Sequence, residues 1–166
     1  MPATYEPIAT TTLGTAAASI DFTSISASYT DLRLVLVAKN ATNSSNPNLT
    51  VNNDTGTNYS VTRLFGNGTT VTSNRNASIT SVGLNDGYNL STAQWQTFFV
   101  DFFSYAGSSY KTFLINSNQD ENGAGEVGRY VGMWRSTSTI TSVKMTVSAG
   151  TFAIGTTATL YGIKNA

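Results

Sequence analysis

The stretch DLRLVLVAK, residues 31–39, decides how this chain is read. Leu32, Leu34, Leu36 and Ala38 fall on one side of an extended backbone, and Arg33, Val35, Val37 and Lys39 fall on the other. A period of two over this length marks a β-strand. In ITSVKMTVS, residues 140–148, Val143, Met145 and Val147 oppose Ser142, Lys144 and Thr146. The closing AGTFAIGTTATLYGI, residues 149–163, alternates large apolar residues with threonines, places glycines at corners and sets Tyr161 and Ile163 against Leu160.

Working outward, strand signals recur every ten to twenty residues, separated by Gly, Asn, Asp or Ser. They predict strands over 5–12, 17–22, 31–39, 48–51, 60–64, 78–84, 94–105, 110–116, 127–135, 140–148 and 158–163. Only NYSVTRLFG, residues 58–66, also fits a short helical turn. The chain has no amphipathic helix of ordinary length, no repeat of fixed period and no linker. The pattern predicts an all-β fold, a two-layer antiparallel β-sandwich forming one domain over 1–166, with residues 1–12 an N-terminal arm or an edge strand.

One strand is apolar on both faces. In QWQTFFVDFFSY, residues 94–105, Phe98, Val100 and Phe102 can face the core, which turns Phe99, Phe103 and Tyr105 outward. A sandwich face turned to water does not ordinarily carry three aromatics. Loops or another subunit must cover them. Val35 and Val37 repeat the two-sided pattern and favour a subunit. Phe99, Phe103, Tyr105, Val35 and Val37 are therefore the candidate interface residues.

The composition is poor in reactive groups. A chain of 166 residues can bury a core without metals or disulfides. It has no cysteine and no histidine, which removes thiol chemistry, the commonest general base near neutral pH and the commonest zinc ligands. Formal net charge is zero and only 11% of residues are charged, so the footprint of a nucleic-acid binder is missing. MPATYEPIATTTLG, residues 1–14, does not read as a secretory signal, and no apolar run is long enough to cross a bilayer. Eight N-x-S/T triplets, at Asn40, Asn43, Asn48, Asn53, Asn58, Asn67, Asn76 and Asn89, are what a chain rich in Asn, Ser and Thr produces by chance, and that reading is preferred to glycosylation.

The nine acidic residues show no paired-carboxylate spacing. No G-x-S-x-G elbow occurs, and Gly66–Gly68 lacks the lysine of a phosphate loop. No catalytic residue, cofactor or metal ligand is therefore assigned. The nearest to a metal site is NQDENGAGEVGR, residues 118–129: Asn118, Asp120, Asn122 and Gly123 fit the opening of a calcium loop. Arg129 stands where that loop needs a bidentate glutamate, and only Glu126 could partly substitute, so a glycine-rich turn is the preferred reading. Trp95, Tyr88, Tyr105 and Tyr110 could form a sugar platform, although packing or oligomer contact is preferred for each, and Trp134 reads as core.

Several blocks are familiar as blocks. YEPIATTTLGTAAASIDFTSI, YTDLRLVLVAKN, NNDTGTNYSVTRLFGNG, VGMWRSTSTITSVKM and GTFAIGTTATLYGI resemble, in the same order, small structural proteins encoded by tailed phages. The resemblance covers almost the whole chain and is weakest at residues 85–94 and 118–128. It implies a jelly-roll-like sandwich and, most specifically, a head decoration (cement) protein. It carries no functional residues across. Expected partners are further copies, as a homotrimer, and the major capsid protein of the virion, with no nucleic acid and no membrane. The expected location is the outer capsid surface, after synthesis in a reducing host cytoplasm that suits a cysteine-free chain. The alternative is a tail-fibre or adhesin module binding host-surface glycan, against which stands the lack of heptads or any stalk. A free-standing carbohydrate-binding module and an enzyme rank below both.

Overall fold

The computed structural model describes residues 5–85 and 87–164. The strands are β1 Tyr5–Thr12, β2 Ser19–Phe22, β3 Asp31–Ala38, β4 Pro47–Val51, β5 Tyr59–Gly66, β6 Val71–Ile79, β7 Val82–Gly83, β8 Gln96–Phe103, β9 Lys111–Asp120, β10 Gly125–Trp134, β11 Val143–Val147 and β12 Thr157–Ile163. Among the described residues there is no helix. All pairings are antiparallel, in one sheet of eight strands ordered β1-β12-β3-β8-β9-β10-β5-β6 and one of four ordered β2-β11-β4-β7. The expected two-layer antiparallel sandwich is what the chain forms. The chain passes repeatedly between the two layers, which are unequal in size.

The alternation of β3 anchors the core. Leu32, Leu34 and Leu36 stand opposite Phe102, Val100 and Phe98 of β8, and Leu34 also stands opposite Leu160 of β12. All seven side chains are fully buried. The small sheet answers with Ile20, Phe22, Leu49, Val51, Val143, Met145 and Val82. Each such side chain contributes about 1.5–3 kcal/mol on burial. Loops close both ends: Ile25, Tyr105 and Ile140 at one, Leu90 and Phe152 at the other.

Three expectations are corrected or resolved. Residues 58–66 form no helical turn: β5 runs straight through them, paired to β10 and β6. Its inward set is Tyr59, Val61 and Arg63, and the arginine disguised the period of two. The strand β6 was missed over most of its length, because VTSNRNASI is wet on both faces and has no apolar alternation. Residues 5–12 form an edge strand on β12 rather than a free arm. Residues 1–4 lie outside the described residues.

Two large buried polar side chains, Tyr59 and Lys111, are tied to the backbone. The Tyr59 hydroxyl accepts from the Val51 amide at 3.0 Å and lies 3.1 Å from the Asp54 carbonyl, to which it can donate. Lys111 is fully buried, and its Nζ donates to the carbonyls of Ser109 at 2.6 Å and Thr137 at 3.3 Å. Burial pushes that ammonium pKa down.

Candidate interaction surface

The two layers turn very different outer faces to solvent. On the small sheet the outward residues are Ser19 and Asp21 of β2, Asn48 and Thr50 of β4, and Lys144 and Thr146 of β11. All are polar, and Lys144 bridges Asp21 at 3.2 Å. The outer face of the eight-stranded sheet instead carries Val35 and Val37 of β3, Phe99 and Phe103 of β8, Leu114 of β9, Val127, Val131 and Met133 of β10, and Leu64 of β5.

Register decides which of these meet. Val35 is opposite Phe99, and Leu114 is opposite Val131. Val127 is opposite Asn118, and Leu64 is opposite Arg129. Four of the five sequence-predicted interface residues therefore share this face. Val35, Val37 and Phe99 are half-buried by their neighbours, and Phe103 is 45% exposed. Sequence reasoning missed the more exposed members: Leu64 at 53%, Val131 at 50% and Val127 at 69%. The signal was present in EVGRYVGMW, where Val127, Val131 and Met133 run in the phase opposite to Tyr130 and Trp134.

Tyr105 is a correction. It is fully buried, and its hydroxyl donates to the Ser26 carbonyl and accepts from the Tyr29 amide at 3.3 Å. Strand β8 ends at Phe103, and Ser104 adopts φ of 47°, in the left-handed region, which reverses the parity that would have pointed Tyr105 outward.

The charges on this face are mutually satisfied where they are densest. Arg33 and Asp101 stand opposite each other and form a two-pronged pair at 2.6 and 2.9 Å. That hydrogen bonding to Asp101 raises the Arg33 pKa against the opposing effect of burial. Arg33 also lies 5.7 Å from the centre of the Tyr5 ring. Around the apolar residues sit the uncharged Thr62, Thr97, Asn116 and Asn118, and one exposed cation, Arg129, opposite Leu64 and Asn116. A face that is apolar, polar in patches and low in net charge has the composition of a protein–protein contact.

The other candidates are dispersed. Trp95, 45% exposed, precedes β8 and lies beneath Lys39, whose Nζ is 5.3 Å from the ring centre. Tyr110, 55% exposed, precedes β9, which runs antiparallel to β8, so the two aromatics sit at opposite ends of the sheet. Tyr88 lies in a loop, and Tyr105 is core, so no shared sugar platform forms from these four. The 118–129 stretch is a β-hairpin: Glu121 N donates to Ala124 O at 2.7 Å across Asn122 and Gly123, both at positive φ. Glu126 pairs with Gln119 on the buried face, whereas Asn118 and Asp120 point to the other side. Those groups cannot converge on one ion. Among the described residues no three His, Cys, Asp or Glu side chains are grouped to hold a metal. Asn40 is fully buried, with its amide held by Ser45 Oγ at 2.7 Å, so that triplet is no glycan acceptor.

The geometry defines a class: an antiparallel sandwich of unequal layers whose wider layer bears a mixed apolar outer face. Comparison with family models, with curated proteins and with solved structures finds no match.

Proposed function

We propose that this chain is a structural part of a tailed-phage virion: a decoration protein that self-associates on the outer head and clamps neighbouring capsid subunits. The observation that carries the reading is the outer face of the eight-stranded sheet, where Leu64, Phe103, Val127 and Val131 are exposed and Val35, Phe99 and Leu114 half-buried, while the outward residues of β2, β4 and β11 in the opposite layer are polar. Such a face is suited to contact with other protein, not to turnover. The head, rather than another station on the virion, rests on the resemblance of the sequence blocks to phage structural proteins. A threefold ring is the expected form, because homo-oligomers favour closed point groups and an icosahedral shell offers local threefold positions. The major capsid protein is the partner beneath it. The glycan-binding alternative would need a stacking platform, and the exposed Trp95 and Tyr110 are too far apart to make one.

The test is a density map of the intact particle. Density fitting this sandwich at local threefold positions on the outer head is the expected result. Density for it on the tail alone would overturn the reading.

A further inference from the structure

A sheet edge is a row of unpaired backbone N–H and C=O groups, and stable proteins shorten, bend or obstruct it. Among the described residues this sandwich has four edges, and three are blunted. Strand β7 has two residues and β2 has four. Strand β1 carries Pro7, which has no N–H, and its register breaks between Pro7 and Ala9. The fourth edge, β6, is the longest, and its one irregularity, a bulge at Ser78 with φ of 54°, lies at its C-terminal end. It runs nine residues without proline, and its pairing to β5 is unbroken from Ala77 to Val71. Its first residue, Val71, is 78% exposed, the highest value among the large apolar side chains.

We propose that β6 is a strand-addition edge and that its occupant is β6 of a second copy, antiparallel across a twofold axis at Asn74. This rests on the reading of the protein as a self-associating part and names one surface that it uses. The chemistry of the partner follows from the edge itself, since only another extended strand satisfies a row of alternating donors and acceptors. The sequence then selects the register. An axis at Arg75 would set two guanidinium groups directly opposite each other, which is unfavourable. Moving the axis to Asn74 pairs Ser73 with Arg75 and covers Val71 with Ala77 of the second copy, at both ends of the ladder. All seven residues of the unbroken stretch pair, and a net charge of zero leaves the two copies free of long-range repulsion. This isologous contact lies at one end of the wide sheet, so it leaves the outer face free and can link one ring to the next.

Because the chain has no cysteine, single cysteines report the contact cleanly. Directly opposed residues of an antiparallel pair have Cα atoms about 4.5–5.5 Å apart, within disulfide reach, whereas diagonal neighbours at about 7–8 Å fall outside it. Under mild oxidation, full-length Asn74→Cys is expected to form a covalent dimer, and Arg75→Cys alone to do so at least about tenfold less. Arg63, which bonds both Asn74 and Asn76, keeps Asn76 in the first variant. A mixture of Ser73→Cys and Arg75→Cys should give the heterodimer, which keeps the test decisive if Asn74→Cys folds poorly. Wild-type sedimentation separates the two readings. An oligomeric wild type with no cross-link in either experiment overturns the β6 contact and leaves self-association standing. Preferential cross-linking of Arg75→Cys overturns the register and with it the proposal. A monomeric wild type that still cross-links through Asn74→Cys supports the edge and tells against the ring.

Discussion

Replacing Val131 by Asp should separate association from folding. Val131 lies near the middle of the wide outer face, opposite Leu114 and Thr62, and is half exposed in the single chain. An aspartate there keeps its carboxylate in water while the chain is alone, so the folding penalty stays near the strand-propensity range of about 1 kcal/mol. In a contact, two effects add. The wet half of the valine, about 75 Å², forfeits roughly 2 kcal/mol at about 25 cal/mol per Å². A carboxylate trapped dry and unpaired costs several kcal/mol more. The association constant should fall by at least about a hundredfold, since each 1.4 kcal/mol is a factor of ten. Sedimentation velocity across a concentration series reads the association, and a thermal melt reads the fold. An unchanged sedimentation profile from an oligomeric wild type would refute the assignment of this face. So would a melting point lower by more than about 10 °C, because about 1 kcal/mol corresponds to 2–4 °C at this size and the side chain would then belong to the core.

Two further outcomes follow from the interior and the hairpin. Tyr59→Phe should destabilise by about 1–3 kcal/mol, because the Val51 amide loses its buried acceptor. Desolvation by burial pushes the Tyr59 pKa from 10.0 up to about 12. Its stabilising contribution is therefore complete below pH 10.0 and disappears as pH rises through about 12, an effect of at most about 3 kcal/mol before solvent screening. Urea titrations between these limits should show a shallower alkaline loss in the variant than in the wild type, and parallel curves would count against this role. For the hairpin at 118–129, a chelator should leave the melting temperature within about 1 °C, whereas a tight calcium site would add several kcal/mol at saturating ion and reveal itself as a large drop.

Much of the sandwich was legible because a half-buried strand writes its burial into local order. The four residues Leu32, Leu34, Leu36 and Ala38 needed no knowledge of their partners. Where the fold departed from expectation, a local rule had been overridden. Arg63 sits in the buried phase of β5, where its guanidinium is held by Asn74 and Asn76 of the neighbouring strand. Strand β6 has no buried phase, and the ladder to β5 alone makes it a strand. Tyr105 was assigned by parity, and a single left-handed residue before it cancelled the count.

The candidate surface divides in the same way. That Val35 and Phe99 face outward was readable from alternation, because their phases carry the charged Arg33 and Asp101 while the opposite phases, Leu32, Leu34 and Leu36 in one strand and Phe98, Val100 and Phe102 in the other, are apolar. That they form one surface with Leu114, Val131 and Leu64 was not. Cross-strand neighbours depend on sheet order and register, set by contacts between residues far apart in sequence. The sequence by itself determined strands, phases and the absence of thiol and imidazole chemistry. Only the tertiary structure decided which phase is left uncovered, because a layer of four strands packs against one side of a layer of eight and, among the described residues, no strand packs against the other side.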